Sequence, residues 1–399
     1  MIVAAMLAMV ATGANAKSAT DSATIAKNKP VFTVVKQNPI TSIKDQNRSG
    51  TCWAYSTLSY FESEILKHTG KTYDLSEMFV ANKTYMDRAT MAVRMHGDVS
   101  FSQGGSAYDV LYALQHYGIV PEGAMPAPGT LTGDSLANFG EFFDVMTPYV
   151  EAVAKSNAKK ISSAWKSGLQ GIIDSYIGKT PEKFTYQGKQ YTPQSFCQSL
   201  GLNLDDYVTI TSYTHHPMWS KFAVEVQDNW RWPLSYNVPM DDLCKIIDNA
   251  INNGYTIAWG GDVTEDGFTR KGLGIAYDVK KVRSMAGTDA DHWFKLSKDE
   301  KKEKFDSLGV NAPEVVPTQA MRQEAFDNWE TTDDHGMHIY GIAKDQNGKE
   351  YYMVKNSWGE YGDYKGTWYM TKAFVAYKTM DFMVNKNAIP KDIRKKLGI

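Results

Sequence analysis

Gln46-Asn47-Arg48-Ser49-Gly50-Thr51-Cys52-Trp53 runs directly into the helix-like segment Ala54 to His68. A thiol placed where a tight turn hands over to a helix faces the unpaired N–H groups of the helix N-terminus, which favour thiolate over thiol. Tyr55, Leu58, Ser59, Glu62, Ile65 and Leu66 recur at three-to-four spacing, and Gly70 supplies a C-cap, so the pattern predicts a helix whose first residue is Cys52. The stretch reads as a nucleophile mounted at a helix start.

A thiolate needs a base, and a base needs a group that orients it. Far downstream, Asp334-His335-Gly336-Met337-His338-Ile339-Tyr340-Gly341-Ile342 is followed by Tyr352-Met353-Val354-Lys355-Asn356-Ser357-Trp358-Gly359. Between them Asn347-Gly348 predicts a hairpin with a two-residue turn, which sets His338 and Asn356 on neighbouring antiparallel strands. His338 heads an alternating, strand-like run, whereas His335 precedes Gly336 in a polar turn, so the pattern favours His338 as the base. The Asn356 oxygen would fix its tautomer, Trp358 would shield that hydrogen bond from water, and the carboxylate of Asp334 would raise the imidazole pKa. Gln46, six residues before Cys52, can aim its amide at a developing oxyanion together with the Cys52 N–H.

Gln-x5-Cys-Trp, a later His before apolar residues, and Asn-Ser-Trp-Gly, in that chain order, resemble the papain-type cysteine peptidases. The long insert, Tyr255 to Val263 and the close of the chain are similar to the bleomycin hydrolase and aminopeptidase C branch. The papain-type resemblance spans roughly residues 32–125 and 325–375, and the branch likeness extends through 190–280. Leu75-Ser76-Glu77, Gly104-Gly105 and Tyr117 to Glu122 agree with it. The resemblance implies an α+β fold, papain-like, in which a helical half and an antiparallel β half meet at a catalytic cleft, with a mainly helical insert at about 126–236. It implies peptide substrates and a substrate cleft lined by Gly104 and Gly105. From the branch it implies aminopeptidase action, the C-terminal carboxylate of Ile399 receiving the substrate's α-amino group, and a hexameric homo-oligomer. An open-cleft endopeptidase is the alternative. A non-catalytic peptide-binding protein is a third, against which the intact Gln46, Cys52, His338 and Asn356 set argues.

The remaining sequence bounds this picture. At 399 residues and 43% hydrophobic composition the chain can bury an extensive core, and a formal net charge of -2 gives no general electrostatic case for nucleic acid or an anionic membrane as partner. Residues 1–16 form an apolar run ending Ala14-Asn15-Ala16, the small-x-small pattern of a signal peptide. The run is too short to span a bilayer. The mature chain, residues 17–399, is therefore expected to be exported, periplasmic or secreted, without a membrane anchor. Cys197 and Cys244 could pair or remain buried hydrophobes, and composition favours the second. No metal-ligand spacing is present, His335 and His338 included, and no cofactor is expected. His215-His216-Pro217 reads as a loop without chemistry. In the insert, Leu136, Phe139, Phe143 and Met146 form one helical stripe, and Ile161, Trp165, Leu169, Ile172, Ile173 and Tyr176 another. Pro239 opens a further helix, stopped by Gly254 and followed by a strand from Tyr255.

Overall fold

The computed structural model describes residues 29–127, 136–281 and 308–399, together with residues 297, 300 and 305. The expected signal peptide, and most of the charged run Lys298 to Lys304, lie outside the described residues.

Strand β1 (Thr33–Gln37) leads to three helices: α1 (Cys52–Thr69), α2 (Glu77–Arg94) and α3 (Ala107–His116). Helix α1 begins at Cys52, and Gly70 ends it in the left-handed conformation at φ 68°. Ser76 caps α2 through the Phe79 N–H, and Ser106 with Asp109 forms a capping box on α3. Helices α4 (Gly140–Ala154) and α5 (Ala164–Ile177) carry the two apolar stripes. Phe143, Met146, Leu169 and Ile173 bury in one core with α1 to α3, whereas Leu136 and Ile161 fall outside the helices and are exposed. A small hairpin, β2 (Phe184–Tyr186) and β3 (Lys189–Tyr191), precedes α6 (Pro193–Ser199), which starts at a Thr192 capping box with Pro193 in its first turn.

The chain then enters the sheet. In order come β4 (Tyr207–Thr211), β5 (Lys221–Phe222), β6 (Ser235–Asn237), α7 (Met240–Asn252), β7 (Ile257–Gly261), β8 (Phe268–Thr269) and β9 (Leu273–Gly274). They are followed by α8 (Gln319–Asp327), β10 (His335–Lys344), β11 (Glu350–Lys355), β12 (Thr367–Thr371), α9 (Lys372–Lys378), β13 (Thr379–Asn385) and α10 (Lys391–Leu397). Eleven strands form one sheet in the order β5-β6-β4-β13-β7-β10-β11-β12-β9-β8, with β1 on β10, and all pairs are antiparallel except β4·β6 and β9·β12.

Two cores flank the sheet. Ala258 and Met383 face the helical core of α1 to α6, while their neighbours Ile257, Trp259, Phe382 and Val384 face a second core that includes α7 and α10. The period-2 alternation of strands produces this division. Cys197 lies in the first core and Cys244 against the second, so the two thiols are free and unpaired. The β10–β11 hairpin forms as the Asn347-Gly348 pair predicts, although with a three-residue loop. Asp345 pairs with Lys349, its carboxylate accepts from the N–H groups of Asn347 and Lys349, and Gly348 takes φ 82°.

Candidate active site

The loop before α1 is locked to the β half. The Gln46 N–H donates to the Ser357 carbonyl at 2.8 Å, and the Ser357 hydroxyl donates to Gln46 Oε1 at 2.5 Å. One Gln46 Nε2 hydrogen is given to the Ser49 carbonyl at 2.7 Å, which leaves the second free for another acceptor. Cys52 therefore stands at a helix start whose approach loop is anchored from both sides.

The structure overturns the choice between the two histidines. His335, not His338, lies beside Asn356: the ring Nε2 is 2.8 Å from Asn356 Oδ1. That oxygen also accepts the Ser357 N–H at 2.8 Å, so it is the oxygen end of the amide, and Nε2 must be the protonated ring nitrogen. Nδ1 remains as the acceptor. His335 and Cys52 line the same cavity, of about 180 Å³. The first turn of α1 packs directly on β10 there, since a Cβ on Gly336 would lie 2.7 Å from Ser56 Oγ and 3.3 Å from the Cys52 carbonyl.

His338 is three residues further along β10 and on its opposite face. It pairs with Lys355, so the next residue, Asn356, points the other way, as does His335. Its Nδ1 is 2.9 Å from Ser59 Oγ, and Ser59 lies seven residues beyond Cys52, about 10 Å along the helix. Lys355 Nζ donates to the same hydroxyl at 2.7 Å, so Ser59 gives its proton to His338. Burial and the Lys355 charge hold the His338 pKa well below its ordinary value. It is a neutral core histidine. Strand alternation is the signal that could have separated the two, once the register against Lys355 is known.

Trp358 lies by His335 and its bond to Asn356, and not by the His338 bond that the sequence predicts. Its ring lies 5.0 Å from that of His335, and Trp368 and Phe268 meet it edge-on behind. Asp334 does not raise the imidazole pKa. Its carboxylate accepts the Val263 N–H at 2.9 Å, while burial pushes His335 down to about 4, opposed by the bond to Asn356. Nor does the helix N-terminus dominate the thiol. Burial raises Cys52 to about 12, backbone hydrogen bonds from Gly336 and Trp53 pull it down, and the charges of Asp333 and Asp228 push it up. Burial thus works against charge on both the thiol and the imidazole before substrate arrives.

Gly104 and Gly105 line the cavity. Gly105 rests on the Trp53 indole, where a Cβ would come within 2.9 Å. Gly104 is covered by Asp228, whose carboxylate oxygen would be 1.9 Å from a Cβ there. Ile399 is not in the cleft. Gly398 caps α10, the Ile399 N–H donates to the Arg394 carbonyl, and the side chain packs against the second core on the far side of the sheet, the core of Ile389, Ile393 and Leu397. Among the described residues no helix is long and apolar enough to cross a membrane.

A thiol at a helix start, an imidazole facing the same cavity, an amide that fixes the tautomer and an indole that covers their bond define the class of thiol-dependent acyl-transfer enzymes. A model of the Peptidase C1-like family matches residues 3–312 and 311–398, and the chain belongs to that family. It is similar to aminopeptidase G of Lactobacillus delbrueckii subsp. lactis, 23% identical over 90% of this chain and 84% of that protein. It is also similar to human bleomycin hydrolase, 21% identical over 93% of this chain and 86% of that one. Among solved structures, PepW of Lactobacillus rhamnosis HN001 superposes with a TM-score of 0.68 at 19% identity, covering 98% of this chain and 92% of that one, and so shares the fold.

Proposed function

We propose that the protein is a cysteine aminopeptidase. The observation that carries the catalytic part is the His335–Asn356 bond beneath Trp358, beside Cys52 in one cavity. Cys52 attacks the carbonyl of a peptide bond while His335 Nδ1 takes its proton. The second Gln46 Nε2 hydrogen and the Cys52 N–H hold the oxyanion. The imidazolium then protonates the leaving amine, and the neutral ring activates the water that releases the acyl group. Aminopeptidase G and aminopeptidase C of Lactobacillus species, similar over most of their length, support action at peptide N-termini. In this reading residues 1–16 are a signal peptide and the mature enzyme is exported.

The test is hydrolysis of an aminoacyl-coumarin amide with and without an Nα-acetyl group. Cys52→Ala should abolish turnover, and wild type should spare the acetylated form. Internal cutting of an acetylated decapeptide by wild type would replace this reading with an endopeptidase.

A further inference from the structure

An enzyme that acts only at N-termini must close its cleft one residue short of the nucleophile's far side and must recognise an ammonium group. The branch resemblance assigned both tasks to the C-terminus, but Ile399 packs on the other side of the sheet. Something else lies over the cleft. The connection from β5 to β6 runs across it, and Val224, Val226, Asp228 and Asn229 line the cavity from that side.

This segment is pinned along its whole length. Phe222 and Val224 are buried with Tyr213 and Met380. Glu225 bonds His215 and His216, each at 3.0 Å, which gives that histidine pair a role the sequence did not suggest. Asn229 donates to the Val224 carbonyl at 2.9 Å. Asp228 is held at 3.1 Å by Arg88, whose side chain is fully buried and also donates to the Gly104 carbonyl at 2.6 Å. Arg231 closes the far end on Asp109 at 2.7 Å and Asp87 at 2.6 Å. The Gly104 carbonyl at the edge of the cavity is thereby bonded by the protein itself.

The space left has an uneven charge. Asp228, Asp333, Asp334 and Asp381 line it, and no lysine or arginine does. Asp228 is compensated by Arg88 and Asp334 is bonded to the Val263 amide, whereas Asp333 and Asp381 form no ion pair with a lysine or arginine among the described residues. Gly336, Gly260 and Asp381 stand side by side on β10, β7 and β13. Two residues without side chains therefore open a floor between the start of β10 and the Asp381 carboxylate, which lies 3.2 Å from where a Gly260 Cβ would be.

We propose that residues 222–231 close the Gly104 end of the cleft and that Asp333 and Asp381 bind the free ammonium group of the substrate's first residue, so that this connection and not Ile399 makes the enzyme an aminopeptidase. The inference rests on the aminopeptidase reading above. Burial raises both carboxyls, Asp381 to about 6 against a hydrogen bond from Ser235, and Asp333 well above its ordinary range with the charges of Asp228, Asp381 and Asp334 adding to it, and an arriving cation offsets those charges. The same cation offsets the charge that Asp333 places on the Cys52 thiol, so the correct substrate would favour its own attack.

The experiment compares one decapeptide, free and Nα-acetylated, by mass spectrometry and initial rates. The enzymes are wild type, Asp333→Asn/Asp381→Asn, Arg88→Gln/Asp228→Asn, and a variant lacking Ile399. The first double variant should lose about thirtyfold or more in kcat/KM on the free peptide, mainly through KM, with the acetylated peptide unaffected. Arg88→Gln/Asp228→Asn removes the buried pair together, and it should begin to cut the acetylated peptide internally. Removing Ile399 should leave the wild-type pattern. An unchanged free-to-acetylated ratio in Asp333→Asn/Asp381→Asn overturns the receptor whether or not the Arg88 variant folds, and internal cutting caused by loss of Ile399 overturns the closure. If an Nα-acetylated lysyl amide is hydrolysed as fast as the free leucyl amide, the carboxylates serve a basic side chain and the assignment is wrong. Wild-type cutting within the acetylated peptide would instead defeat the aminopeptidase reading itself.

Discussion

The two ends of one short run, His335 and His338, sit three residues apart on β10 and belong to different chemistry. His335 emerges at the strand's start, where α1 also begins, and shares a cavity with Cys52. His338 lies beneath the body of α1, within a buried polar network of Ser59, Lys355, Thr41, Glu62 and Lys44. Burial lowers both imidazoles, opposed at His335 by the bond to Asn356 and reinforced at His338 by the Lys355 charge. The difference that matters is therefore access to the thiol and not basicity. A histidine able to take a proton is useful only where the nucleophile can reach it.

Substitutions can break this comparison. His335→Ala should lower kcat by about 10² to 10⁴-fold with the fold intact, because it removes the general base. Stopped assays on folded protein, checked by circular dichroism, measure it, and an unimpaired His335→Ala enzyme would return the base to His338. Asn356→Ala should cost less, about a hundredfold, since the ring stays but its orientation is lost. For His338→Ala the expected order is reversed: about 2–4 kcal/mol of stability disappears through the cavity and the Ser59 hydroxyl left without its acceptor, while kcat per folded molecule changes only severalfold. Urea unfolding and active-site titration together separate those two losses.

The smallest effect sharpens the electrostatic side. The Cys52 thiol is raised, so its thiolate fraction grows as pH rises toward about 12. Asp333 contributes to that rise, and Asp333→Asn should displace the iodoacetamide labelling profile of the free enzyme toward lower pH. A profile that stays in place, or moves upward, would mean that the Asp333 charge does not reach the sulfur.

Much of the site was legible because its signals are local. Cys52 at a helix start with Gly70 at the end, Gln46 in the approaching loop, and Asn356 with Trp358 after a hairpin all follow from short patterns that the structure keeps. The base was misread for a specific reason. Apolar alternation after His338 looked like the beginning of a strand, yet β10 starts at His335 and continues through Gly336, a residue that carries no pattern of its own. Glycine there is required by the close approach of α1 and not by the strand. The choice of face then depends on register against Lys355, a contact made across the hairpin.

The sequence by itself determined the nucleophile, its helix and the hairpin that carries the orienting amide, since capping, turn chemistry and periodicity act within a few residues, while the α+β division followed from the family resemblance. Only the tertiary structure decided which histidine faces the thiol, that Ile399 packs away from the cleft, and that Asp228 lies over Gly104. The first also needs register across the β10–β11 hairpin, and the first and last bring together segments more than a hundred residues apart, Cys52 with His335 and Gly104 with Asp228. Their geometry is set by which faces of sheet and helix are buried together, and no local pattern in one chain records that pairing.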